Sequence, residues 1–254
     1  GFCDDCGDLL SFNKAEDLRL EIKGEFASQL TVDDDNLVLR AAKLLPNKNQ
    51  GAEIVLSKNL PIASGIGGGS SDAAATLIGL NRFWNIGLST QELCEIAKEL
   101  GSDVPSCVMQ HSLIMKSYGE VFEPAPNLPE FYIILANPLI ACPTPQIYKN
   151  YDLQEITQFI DFEYYDCGNF ADVITMLEAC RNDLEKTAIS LFPEIGKLLA
   201  SLAQLKGQNL VRMSGSGASC FAVFETKEMA QNALLQLEEI YKSKPLWARV
   251  SKIS

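Results

Sequence analysis

Histidine is nearly missing from this chain: its 254 residues hold one, His111, beside two tryptophans. Cys3 and Cys6 form a Cys-x-x-C pair, but there is no second pair, and His111 lies far away in sequence. No complete ligand set for a zinc site is present, and no metal site of the protein's own is expected. Basic residues are also scarce, with 21 Lys and Arg against 33 Asp and Glu and a net charge of −12. That balance argues against nucleic acid or an anionic membrane as the main partner. No apolar run approaches the ~20 residues of a membrane span. The opening GFCDDCGDLL is acidic and lacks a basic n-region, so no secretory leader is expected within it. The first residue is Gly rather than Met.

What is there reads as an ordinary soluble composition, 47% apolar and 21% charged, long enough for one large or two smaller domains. The eight cysteines are scattered, which suits small buried side chains in a reducing compartment. The cytoplasm is the default location. Leu9 to Phe12 and Asp17 to Gly24 read as strands, the second through the alternation of Leu18, Leu20 and Ile22. Asp33 to Leu45 reads as an acidic cap and an amphipathic helix, and Ala52 to Lys58 as a strand with Ala52, Ile54 and Leu56 on one face. Leu88 to Gly101 is a helix capped by Ser89 or Thr90 and stopped by Gly101. Strand-like pieces follow around Leu113 to Met115. The proline-rich EPAPNLPEF, Glu123 to Phe131, is the best linker candidate. Past it come a buried strand from Tyr132, two helices broken before Pro193, a strand–loop–strand from Leu210 to Phe224 and a helix from Lys227 to Tyr241. The mixture is α+β in two units, 1–127 and 128–254.

The most informative stretch is PIASGIGGGSSDAAATLIGLN, from Pro61 to Asn81. Ala73, Ala74, Leu77, Leu80 and Trp84 recur at intervals of three and four, one apolar face of a helix. Glycines directly ahead of a helix let the backbone approach a ligand closely, and the helix N-terminus favours an anion. A phosphate loop is therefore expected, with a tight strand-to-helix connection as the plainer alternative. The lysine of the GxxxxGK[ST] loop is missing, and Ser70 stands where G-x-G-x-x-G needs its last glycine, counted from Gly65. Asp72 reads as a first-turn helix carboxylate rather than a ligand.

What remains, Pro61–x₃–Gly65–x–Gly67–Gly68–Gly69–Ser70–Ser71, resembles the second signature of the GHMP kinase superfamily. DNLVLRAA (Asp35 to Ala42), LNRFWN (Leu80 to Asn85), GSDVP (Gly101 to Pro105), YGEVFEP (Tyr118 to Pro124), PTPQIY (Pro143 to Tyr148), RNDLE (Arg181 to Glu185) and SGSGASCF (Ser214 to Phe221) agree with the same family in order. The resemblance implies a two-domain α+β fold, its first half like ribosomal protein S5 domain 2 and its second half ferredoxin-like. It implies ATP as phosphoryl donor, with Mg²⁺ neutralising the β/γ charge. Within the superfamily, three consecutive glycines with SSDAA sit closest to the branch that phosphorylates the 2-hydroxyl of a cytidine-diphosphate-linked alcohol on the non-mevalonate route to isoprenoids.

Carried over residue by residue, Pro61, Ile62, Ala63, Ser64, Gly65, Ile66, Gly67, Gly68, Gly69, Ser70 and Ser71 would wrap the triphosphate. The Ser70 and Ser71 hydroxyls would donate to phosphate or help hold Mg²⁺. Asp103 would be the catalytic aspartate, although S-D-x-P read alone is a helix cap or turn. Thr144 and Tyr148 would contact the cytidine-bearing substrate, Tyr148 by stacking, where an aromatic at such spacing is otherwise core. Tyr118 would lie beside a main-chain contact to the base. Ser214, Gly215, Ser216 and Gly217 would support the triphosphate loop, or form a plain β-turn. His111 is expected to be structural. The family's early lysine strand and Tyr-His pair match nothing in GFCDDCGDLLSF, and Lys14 and Lys23 do not replace that lysine; both are expected upstream of Gly1. The rival expectations are a GHMP kinase for another small alcohol and an inactive nucleotide-binding remnant. The chain is expected to act as a monomer or homodimer.

Overall fold

The computed structural model describes residues 3, 6–46, 50–116, 121–151 and 164–253. They fall into two compact units. One comprises Gly7–Ile62 and Gly67–Pro124; the other comprises Ala125–Ser254 with residues 1–6 and 63–66.

In the first unit, alternation of apolar side chains gives three strands: β1 (Leu9–Asn13), β2 (Leu18–Lys23) and β3 (Ala52–Ser57). The central strand is β3, antiparallel to β1 and parallel to β2. Its Ala52, Ile54 and Leu56 are buried, as their spacing predicts. A parallel neighbour needs a crossover, and α1 (Leu37–Leu44) supplies it. The helix is capped by Asn36, whose side chain accepts from the Val38 N–H at 3.0 Å, not by the acidic run. Asp33 instead closes its own turn, accepting from the Asp35 N–H. The long helix α2 (Gly68–Phe83) buries Ala73, Ala74, Leu77 and Leu80 on the sheet, with Trp84 at its end. Each such large side chain stabilises the fold by roughly 1.5–3 kcal/mol. Next comes α3 (Thr90–Ala97), closed by a Ser89–Glu92 capping box. The short α4 (Val104–Met109) and the hairpin β4 (Leu113–Lys116) with β5 (Val121–Pro124) complete the unit.

The second unit is built on β6 (Phe131–Asn137), with Ile133, Ile134 and Leu135 buried. After it come α5 (Thr144–Asn150), α6 (Phe170–Ala179), α7 (Glu185–Leu191), α8 (Pro193–Ala203), β7 (Leu210–Met213), β8 (Cys220–Phe224), α9 (Lys227–Ile240) and β9 (Trp247–Ile253). The sheet order is β7-β8-β6-β9 and every pairing is antiparallel. The unit's first strand is thus inside and its second and fourth are at the edges, the ferredoxin-like order. Ile195, Leu198, Leu202, Phe224 and Leu237 pack into its core without exposure. Of the eight cysteines, Cys94, Cys142, Cys167 and Cys220 are buried, while Cys3, Cys6, Cys107 and Cys180 are only partly so. No helix among the described residues is long and apolar enough to cross a membrane.

Candidate functional site

The glycine stretch does what its composition predicts locally. Past β3 the chain runs through Lys58, Asn59 and Leu60 into the loop, then enters α2 with Gly67 as N-cap at φ +69°. A glycine brings no capping side chain, and none caps this helix. The N–H groups of Gly68, Gly69 and Ser70 thus precede the first intrahelical bond, made by Ser71 N–H to the Gly67 carbonyl at 2.8 Å. A Cβ on Gly67 would meet open space. Gly67, Gly69 and Ser71 are exposed and Ser70 is half-buried. The result is a set of donors at the positive end of a 16-residue helix.

Beneath that first turn lies a feature that sequence reasoning missed. The Lys58 ammonium is buried and pairs with two carboxylates, Asp8 at 2.5 Å and Asp72 at 2.8 Å. The other oxygen of Asp8 accepts from the Asn59 and Leu60 N–H groups. Asp72 is not a first-turn carboxylate. The helix starts at Gly68, which puts Asp72 in its second turn, facing inward at 5% exposure. Burial raises Asp72 to about 6; Lys58 pulls against that rise and Asp8 adds to it. The one available signal was a lysine at the end of an apolar strand, where a solvated side chain is the ordinary reading.

Gly65, at φ +71°, touches the Ser214–Gly217 loop backbone to backbone: an added Cβ would stand 2.6 Å from both the Ser214 and Gly217 carbonyl oxygens. Ser214 Oγ donates to the Gly65 carbonyl at 2.9 Å, and Ser219 N–H to that of Ser64 at 3.0 Å. Gly215 closes the contact from the other side, where a Cβ would meet the Gly65 oxygen at 2.8 Å. The RNDLE motif pins this loop. Asn182 Nδ2 donates to the Met213 and Gly215 carbonyls, and Glu185 accepts from the Met213 N–H. Thr144 Oγ1 and Ser216 Oγ are 2.8 Å apart, so the first turn of α5 joins the same cluster. Tyr148 lies one turn further along α5 and is 61% exposed while Ile147 beside it is fully buried. A core role for Tyr148 is thereby excluded.

Asp103 precedes α4 and its carboxylate does not cap the helix. It is exposed, and its recorded side-chain partner is the Ser102 hydroxyl at 3.4 Å. Of the cap-or-turn reading of S-D-x-P, the turn is present, closed by the Val104 N–H on the Gly101 carbonyl at 3.2 Å with Asp103 at the N-cap position, and the side-chain cap is not. One turn on, Cys107 Sγ lies 3.6 Å from Ser71 Oγ, which ties α4 to the first turn of α2. Burial pushes the Cys107 thiol up. His111 is exposed, with Nδ1 2.7 Å from the Met109 carbonyl oxygen. Tyr118 lies outside the described residues.

Comparison with known proteins shows the family. Residues 36–111 match the GHMP kinases N terminal domain and residues 168–243 the GHMP kinases C terminal domain. The chain belongs to the GHMP kinase family, whose members are ATP-dependent kinases of small molecules. It is 41% identical over 253 residues to a Rhizobium etli protein named 4-diphosphocytidyl-2-C-methyl-D-erythritol kinase, covering 96% of this chain and 81% of that one. A protein of the same name from Parvibaculum lavamentivorans is 40% identical over 249 residues, covering 96% and 85%. Among solved structures, a 4-(cytidine 5'-diphospho)-2C-methyl-D-erythritol kinase matches with a TM-score of 0.73 and 26% identity, over 97% of this chain and 87% of that one. A homoserine kinase from Cytophaga hutchinsonii shares the fold, with a TM-score of 0.68 at 16% identity over 99% and 87%.

Proposed function

We infer that the chain transfers the γ-phosphate of ATP to the 2-hydroxyl of 4-diphosphocytidyl-2-C-methyl-D-erythritol, a step of methylerythritol phosphate isoprenoid synthesis. The observation that carries this reading is the uncapped glycine start of α2 in a chain 40% identical, over most of its length, to kinases named for that substrate.

In this reading the loop from Pro61 to Ser71 holds the triphosphate through backbone N–H groups and the two serine hydroxyls. Phosphoryl transfer has a loose transition state, so positioning and charge stabilisation dominate. The Asp103 carboxylate, exposed and not engaged as a cap, orients the acceptor hydroxyl and takes its proton. Thr144 and Tyr148 hold the cytidine end, Tyr148 by stacking, with Tyr118 nearby. Ser214 to Gly217 back the loop at Gly65. Among the described residues no three His, Cys, Asp or Glu are grouped to hold a metal. Mg²⁺ fits this chain as an ion carried by the nucleotide's phosphates, with Ser70 and Ser71 as the protein oxygens; bound so, it would neutralise phosphate charge. Along the chain the two domains of this reading are 1–127 and 128–254, although residues 63–66 and 125–127 belong to the second compact unit, and the enzyme works as a cytoplasmic monomer or homodimer, without nucleic acid or membrane.

The test is ADP release in the presence of ATP and Mg²⁺ with each of three acceptors: the cytidine-linked alcohol, homoserine and mevalonate. Turnover on the first alone is expected. Turnover on another acceptor, or ATP binding without turnover on any, would overturn the reading.

A further inference from the structure

We propose that Asp8, Lys58 and Asp72 form a buried clamp that positions both stems of the nucleotide loop, with Asp72 as the positioning residue for its helical side. The inference rests on the loop being the triphosphate site. Its geometric basis is independent of that reading. One carboxylate, Asp8, accepts the N–H groups of Asn59 and Leu60, the two residues leading into the loop. The second, Asp72, projects from the helix that leads out of it. A single ammonium joins the two carboxylates, and all three side chains are at most 7% exposed. Gly68 lies directly above: a Cβ there would come within 3.4 Å of Lys58 Nζ and 3.8 Å of Asp8 Oδ2.

Two further facts argue for a positioning role over plain core stability. A buried ion cluster is a poor source of stability, because desolvation offsets its attraction and apolar groups of the same size do as well. What such a cluster supplies is a fixed geometry, since every member has a directional partner. This one lies at the place where the sequence gives up its own rigidity, at Gly65, Gly67, Gly68 and Gly69. Three amides can aim at a phosphate only if the turn that carries them has one position, and misplacement by about 1 Å is enough to lose most of the benefit.

The test uses Asp72→Ala and Asp72→Asn in the full chain. Ala is the best helix former and leaves the Lys58–Asp8 pair intact, so the fold should survive; circular dichroism checks it. In Asp72→Ala the ATP KM should rise about tenfold, with kcat and the acceptor KM within about twofold of the parent. Asp72→Asn keeps an oxygen that can accept from Lys58, and should restore the ATP KM to within about threefold. Amide exchange should quicken at Ser71, whose N–H is bonded to the Gly67 carbonyl, in Asp72→Ala, while Asn59 and Leu60, still held by Asp8, keep their protection. An unchanged ATP KM in folded Asp72→Ala, or no rescue by Asn, overturns the clamp. Should Asp72→Ala fail to fold, Asp72→Leu, similar in size but unable to accept from Lys58, replaces it: a raised ATP KM with faster Ser71 exchange supports the clamp, and parental values of both overturn it. Parent protein that shows no saturation by ATP refutes the nucleotide-loop reading instead, so the two failures are distinct.

Discussion

Removing the titrating group at position 72 should invert part of the protein's response to pH. In the folded chain Asp72 is raised to about 6 from 3.8, so the native state holds its proton more tightly than the unfolded chain does. A carboxyl shifted in this direction stabilises the fold most when protonated; that contribution is complete below the unfolded value and is lost as the pH climbs through 6. Two units correspond to about 3 kcal/mol in full, of which about 2 kcal/mol falls between pH 4.5 and pH 7.5. Asp72→Asn cannot titrate. The difference in unfolding free energy, variant minus parent, should therefore grow by about 2 kcal/mol across that window, titrations outside the Asp8–Lys58–Asp72 cluster cancelling. Urea denaturation at several pH values measures it. The signal can be confined to the relevant core, because Trp84 lies in the first unit and Trp247 in the second, each nearly buried. In a Trp247→Phe background, fluorescence reports the unit that holds Asp72. Parallel stability curves for parent and variant would refute the reasoning.

Asp103→Asn should lower kcat by two to three decades, roughly the loss expected for one catalytic acid–base group, with the ATP dissociation constant within about twofold by calorimetry. A kcat near the parent's would remove Asp103 from the chemistry. Tyr148→Ala should leave the melting temperature unchanged, given its 61% exposure, and raise the KM for the cytidine substrate about tenfold, with Tyr148→Phe close to the parent. Gly65→Ala forces a side chain into φ +71° and within 2.6 Å of two carbonyl oxygens, so a loss of several degrees in melting temperature and a weaker ATP affinity should appear together. A stable variant with parental affinity would show that the Gly65 contact is not required.

Much of the fold could be read in advance because its helices and strands carry clean periodicities. The face from Ala73 to Trp84, the Ser89–Glu92 box and the break at Pro193 each state their structure in a few residues. Five elements escaped: α4 and β5 are only six and four residues long, β5 running into the expected linker at Glu123, and three more carry weak patterns. The α5 helix lies in mixed polar sequence, α6, FADVITMLEA, is apolar around most of its circumference and so shows no single stripe, and β9, WARVSKI, alternates only loosely. Of the candidate site, the glycine loop was legible as glycines ahead of a helical face, and the SGSG turn through the family resemblance. The pinning of that turn by Asn182 and Glu185 was not, since polar side chains reveal their partners only once distant segments meet. The same holds for Lys58: its two carboxylates come from 50 residues upstream and 14 downstream, a convergence that no local pattern encodes.

The bare glycine entry into α2 has a consequence for how the protein behaves on its own. Gly68 and Gly69 are each weaker helix formers than alanine by about 1 kcal/mol, and no side chain closes the end. On the proposed reading, an anion seated there would take the place of the missing cap and hold a first turn that is already wound. Mg-ADP should accordingly raise the thermal stability of this protein through a few residues at one helix end, with the far end of the same helix, around Trp84, unaffected.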